Sequence, residues 1–136
     1  MSWKIESGIK DVGKPYIFYK VVTSASNAGN VTMATAMVQP VMVKSVIVKA
    51  NGAAPANLTS IGVYGGVNQV VTFIDSALTG LKANIAATDQ QVAWTGAAVL
   101  DAGDTIVMTL AGAGAAAVNL TIYVEFAAIA DDGYLA

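Results

Sequence analysis

The sequence predicts an all-β protein, a single antiparallel β-sandwich or jelly roll with a short N-terminal arm. Two observations lead to this prediction. Apolar residues recur at every second position in several segments, and Gly, Asn and Pro separate these segments at short intervals. The chain of 136 residues is long enough for one core. We therefore divide it into an arm at 1–14, a sandwich at 15–130 and a C-terminal tail at 131–136.

The predicted strands differ in how clearly they alternate. The clearest is 105–110, where Ile106, Met108 and Leu110 fall on one face. The first strand, 15–23, consists almost entirely of β-branched and aromatic residues, which suit a pleated, half-buried surface. The remaining predicted strands are 31–38, 41–50, 58–64, 67–74, 91–100 and 118–128.

The third predicted strand changes phase along its length. Val41 and Val43 have one parity, whereas Val46 and Val48 have the other. Either both faces of this strand are buried, or a β-bulge near Lys44 shifts the phase.

Three connections carry specific predictions. The pair Gly65-Gly66 predicts a two-residue hairpin, and Gln39-Pro40 predicts an edge or corner, since proline cannot donate to a ladder. The run Asp-Ala-Gly-Asp at 101–104 predicts the tight turn of a hairpin, in which Gly103 supplies a positive φ. Residues 75–88 are predicted to be irregular or to contain a short helix.

Charged residues form only 12% of the chain and apolar residues 55%. The charged share of an average globular protein is about 25%. This low charge content predicts that another copy of the chain or a larger assembly covers part of the surface. We therefore expect a homo-oligomer. The charge-free stretch at 105–124 alternates with period two, which predicts strands and no membrane span.

The side chains most used in catalysis are missing, because the sequence contains no His, no Cys and no Arg. It therefore predicts no catalytic residue, no cofactor and no zinc or copper site. An enzyme that uses carboxylates alone stays open as an alternative, although no pair of acids is singled out. Seven basic and nine acidic residues give a net charge of −2 without a basic run, which argues against nucleic acid as a partner.

Acidic and aromatic residues supply the candidate sites. Asp101 and Asp104 could bind calcium, but turn chemistry explains them better. Trp3 and Tyr134 lie outside the predicted strands, so they are either anchors that dock into a neighbour or parts of disordered tails. With Ile5 and Ile9, they are our predicted contacts with a partner or another subunit.

The order of these segments resembles a known style of fold. Valine-rich strands are followed by Leu-Asp-Ala-Gly-Asp-Thr-Ile at 100–106, a loop of small residues and a last alternating strand. This pattern resembles the small jelly-roll proteins that decorate bacteriophage heads, also called cement proteins. The turn also occurs in other trimeric jelly rolls, including domains similar to tumour necrosis factor.

The resemblance implies a non-enzymatic virion protein. As a homotrimer on the capsid surface, it would bind the major capsid protein and stabilise the assembled shell. Because the N-terminus has no apolar segment of the kind that directs secretion, we expect synthesis in the host cytoplasm. The alternative is a carbohydrate- or receptor-binding module of a phage fibre or secreted assembly, which requires Trp94 and Tyr64 to be exposed and adjacent.

Overall fold

Two antiparallel β-sheets pack face to face and enclose one apolar core. They are seen in a computed structural model that describes residues 12–23, 29–112 and 118–136. The predicted all-β class is confirmed, since the only helices in these ranges are two single 3-10 turns.

Nine strands lie within the described ranges. They are β1 (Pro15–Val22), β2 (Gly29–Met37), β3 (Val41–Ala50), β4 (Ser60–Gly65), β5 (Val71–Ile74), β6 (Gln91–Leu100), β7 (Thr105–Ala111), β8 (Leu120–Ala128) and β9 (Tyr134–Leu135). The first sheet has the order β1-β8-β3-β6, and the second has the order β5-β4-β7-β2-β9. Among the described strands, those that follow each other along the chain lie in different sheets, except β4 and β5, which pair with each other; this alternation between two sheets is typical of a jelly roll. The predicted jelly roll is confirmed.

The core lies between the inner faces of the two sheets. In β7, Ile106 and Met108 are fully buried, as their alternation predicts. In β8, Ile122, Val124 and Phe126 lie on the same inward face. Each buried aliphatic side chain of this size contributes about 1.5–3 kcal/mol relative to an exposed one, so the alternating positions of the central strands supply much of the driving force for folding.

A bulge in β3 explains the phase change in its sequence. Val43 pairs with Phe126 of β8, and the next paired residue is Ser45, so the register skips Lys44. Lys44 is exposed, whereas Val43 and Val46 are both fully buried. Of the two possibilities that the sequence left open, the bulge is the one observed.

The turn at 101–104 is not part of a hairpin, so that prediction is wrong. It joins β6 of the first sheet to β7 of the second, and these strands do not pair with each other. The turn instead packs on β2: the Gly103 N–H donates to the Ala36 carbonyl at 2.7 Å, and the Ala36 N–H donates to the Asp104 carbonyl at 2.8 Å. It is a corner that passes the chain from one sheet to the other.

The hairpin predicted around Gly65-Gly66 is observed, since β4 and β5 pair antiparallel, but the predicted two-residue loop is wrong. Gly65 pairs with Val71, so the connection comprises residues 66–70 and contains a 3-10 turn at Val67–Gln69. The segment after β5 is irregular, as predicted, with turns and a second 3-10 turn at Lys82–Asn84.

Both termini of the described chain meet the sandwich. Tyr134 and Leu135 form β9, which pairs with Met37 and Ala36 at the end of β2, so this part of the tail at 131–136 belongs to the second sheet. At the other terminus, Val12 forms a parallel bridge with Ala128 at the end of β8.

Candidate assembly surfaces

The described residues contain no internal cavity or cleft that could hold a small ligand. In the same ranges, no three His, Cys, Asp or Glu side chains lie close enough together to hold a metal ion. No helix described there has the length and apolarity needed to span a bilayer. We therefore describe the exterior surfaces of this part of the chain as candidate sites.

The two aspartates of the 101–104 turn stabilise the turn itself. The Asp104 carboxylate accepts a hydrogen bond from the Asp101 N–H at 3.0 Å, and the Asp104 N–H donates to the Asp101 carbonyl at 2.9 Å. Gly103 has a φ of 93°, as the sequence predicts. Turn chemistry accounts for these residues, although the carboxylate that accepts is that of Asp104 rather than that of the first aspartate.

Trp94 and Tyr64 do not form a common binding surface. Trp94 pairs with the fully buried Val46 and points into the sandwich, where its ring packs on Phe73. Tyr64 alternates with the buried Val63, so it lies on the outer face of the second sheet, and its hydroxyl is 3.1 Å from the Ser76 hydroxyl. The two rings face opposite sides of that sheet, an arrangement that cannot present both to one sugar.

The first sheet carries an apolar outer face, here called the outer sheet face. Register places Tyr19, Tyr123, Ile47 and Ala93 in one row that crosses all four strands. Tyr19 is 65% exposed, and its ring centroid lies 6.4 Å from that of Tyr123. Further apolar residues on the same face are Ile17, Val21, Met42 and Val99.

Two charged residues on the outer sheet face, Glu125 and Lys49, have polar partners, and a third, Lys44, is exposed. Glu125 is partly buried, and one of its carboxylate oxygens lies 3.5 Å from the Ser45 hydroxyl. The Lys49 ammonium group lies 3.4 Å from the Asp89 carboxylate. The row of Tyr19 itself contains no charged residue.

A second apolar surface lies where three connections meet at one end of the sandwich. These connections are residues 38–40, 66–70 and 101–104, and we call their surface the valine end. Residues 66–70 flank one side of the turn, since the Gly66 N–H donates to the Thr105 carbonyl at 3.0 Å. The chain at 36–38 flanks the other side through the Ala36 contacts described above. The exposed fractions of Val38, Val67 and Val70 are 59%, 66% and 75%.

The predicted contact residues fall in different places. Trp3, Ile5 and Ile9 lie outside the described residues. Tyr134 lies in β9, is partly buried and packs against the core. The sequence does not predict the exposed valines at 38, 67 and 70 as contact residues. They fall within the predicted strands 31–38 and 67–74.

Two solved structures share this fold over nearly the whole chain. A chain in the capsid structure of Helicobacter pylori bacteriophage KHP30 superposes with a TM-score of 0.57 at 13% identity, covering 91% of this chain and 95% of that one. A chain in the capsid asymmetric unit of cyanophage Pam1 gives a TM-score of 0.52 at 15% identity, covering 85% and 86%. No protein-family model and no curated protein matches the sequence. The similarity therefore establishes a jelly-roll fold also found in phage capsid structures.

Proposed function

We propose that this protein is a non-enzymatic structural component of a virion that binds an assembled phage capsid as a surface decoration, or cement, subunit. The main support is the jelly roll shared with chains of two phage capsid structures over nearly their full length. Two exposed apolar surfaces and the lack of a cavity among the described residues fit a protein that acts by association.

The proposed partner is the major capsid protein, and the proposed subunit arrangement is a homotrimer on the outer surface of the shell. Trp3, Ile5 and Ile9 of the arm are proposed to contact neighbouring subunits, together with the partly buried ring of Tyr134. The protein would be synthesised in the host cytoplasm and reside in the virion.

The proposed mechanism is linkage between binding and assembly. A subunit that binds only the assembled shell, and not the free shell protein, lowers the free energy of the shell by its own binding free energy. The effect is repeated at every occupied position, so moderate affinity at each site stabilises the whole particle. No bond is made or broken.

Co-sedimentation tests the proposal directly. Shells assembled from the major capsid protein encoded in the same genome are mixed with the purified chain, pelleted, and analysed for bound protein. We expect saturable binding to shells and none to the unassembled capsid protein, with bound shells surviving a higher temperature than bare ones. Shells that leave the chain in the supernatant at all concentrations contradict the proposed function.

A further inference from the structure

We propose that the valine end is the surface with which this subunit docks, and that its partner is a protein surface with an apolar centre and a rim of lysine or arginine. The inference rests on the proposed function and deepens it, because it states which side of the subunit faces the shell.

Exposed apolar side chains are concentrated at the valine end. Twelve large hydrophobic residues are exposed within the described ranges. Half of them lie at or beside the valine end, whereas four lie on the outer sheet face and two lie at the opposite end. The residues at or beside the valine end are Val12, Met37, Val38, Val67, Val70 and Ile129. Val38, Val67 and Val70 lie in the connections themselves, where polar residues are usual, and the other three lie beside them, a concentration that indicates a contact surface.

The backbone at the valine end is strained. Four of the five described non-glycine residues with positive φ lie at or beside this end: Val38, Asn68, Gln69 and Asp132. Val38 is the most informative of them, since a β-branched side chain at a φ of 70° is a true outlier. Its side chain is mostly exposed, so burial does not compensate for the strain. Strain that persists in exposed turns is typical of functional sites.

Acidic residues lie around the valine end. Asp101, Asp104, Asp131 and Asp132 lie in turns at or beside this end, and they are four of the seven acidic residues in the described ranges. Lys14, two residues after Val12, adds one basic residue beside this end, so acidic residues outnumber basic ones there. The 131–132 turn is adjacent because Gly133 packs on the Pro40 carbonyl. At the opposite end, Lys49 and Lys82 balance Asp75 and Asp89. An apolar surface with an acidic rim is complementary to an apolar surface with a basic rim.

A matched pair of variants tests the apolar centre. Val70→Glu places a charge in the valine end, and Leu78→Glu makes a similar change at the opposite end, where Leu78 is 69% exposed. Co-sedimentation with the shells described above should show about tenfold or more weaker binding for Val70→Glu and unchanged binding for Leu78→Glu. Both variants should keep the thermal midpoint and the light-scattering mass of the wild type, because neither side chain is buried.

A second pair tests the acidic rim. Neutralising Asp101 and Asp131 together, as Asp101→Asn with Asp131→Asn, should weaken binding and flatten its dependence on salt concentration. Asp89→Asn at the opposite end is the control, and its salt dependence should match that of the wild type.

The outcomes separate the two proposals. If the wild type binds shells and Val70→Glu binds as well as Leu78→Glu, the inference is wrong and the proposed function stands. A Val70→Glu variant with a smaller assembly mass would show that this end joins copies of the chain, which also overturns the inference. Failure of the wild type to bind shells contradicts the proposed function itself.

Discussion

The ring of Trp94 packs edge-on against the ring of Phe73, with centroids 4.8 Å apart and planes inclined at 71°. Trp94 lies on β6 of the first sheet and Phe73 on β5 of the second, so this contact joins two edge strands that share no ladder. The Trp94 ring also covers Gly96 two residues further along, where a Cβ would be 2.6 Å from the indole. This aromatic pair therefore packs the edge strand of one sheet against the edge strand of the other.

Replacing Trp94 by Ala should lower the free energy of unfolding by about 2–3 kcal/mol, somewhat less than for a fully buried tryptophan. Trp94→Phe keeps an aromatic partner for Phe73, so this variant should lose only about 1 kcal/mol in the free energy of unfolding. Urea unfolding followed by circular dichroism measures both. Equal losses in the two variants would mean that the aromatic contact does not hold the sheets together.

Gly80 should not tolerate a side chain, because a Cβ at this position would overlap the Ile61 carbonyl oxygen. The contact is close because the Ile61 N–H donates to the Gly80 carbonyl at 2.8 Å. We expect Gly80→Ala to cost about 3 kcal/mol or more, and Gly52→Ala, whose new Cβ would lie 3.8 Å from Asn119, to cost within about 0.5 kcal/mol of zero. Thermal unfolding of both variants checks this, and a stable Gly80→Ala protein would contradict the described packing.

Val38→Asn should make the protein more stable, by about 1 kcal/mol, because asparagine adopts the left-handed conformation more readily than valine. The control is Val70→Asn, which makes the same chemical change at a φ of −74° and should leave stability nearly unchanged. If the valine end docks on the shell, Val38→Asn should also bind shells more weakly, a trade of function for stability. A Val38→Asn protein no more stable than the Val70→Asn control would show that Val38 is unstrained.

The corner at 101–104 should depend on the Asp104 carboxylate. Asp104→Ala removes the acceptor of the Asp101 N–H and should cost about 1 kcal/mol, whereas Asp104→Asn retains an acceptor oxygen and should cost about half as much. Chemical unfolding compares the two variants. An alanine variant as stable as the wild type would exclude a role for this hydrogen bond in the corner.

Alternation in the sequence predicted the strands well, because the period-two pattern is a property of each strand by itself. The phase change between Val43 and Val46 even indicated the bulge. The pairing of the strands could not be predicted in this way. The residues of the 101–104 turn suit both a turn between paired strands and a turn between strands of different sheets. Only contacts with β2, distant in sequence, decide that β6 and β7 belong to different sheets.

The candidate surfaces were harder to predict than the fold. The low charge content indicated that a partner covers part of the surface, which stays a prediction, and it did not say where an apolar surface would lie. Val67 and Val70 read as strand residues because valine favours strands, and nothing local marks the exposed 3-10 turn in which Val67 lies. Val38 follows directly on the alternating β2, and its positive φ is set by the turn into β3.

Cryo-electron microscopy of assembled shells incubated with the purified chain tests the central claim most directly. We expect jelly-roll density on the outer surface at fixed positions in groups of three, with the valine end towards the shell. Shells that remain bare at saturating concentrations of a folded chain would contradict it.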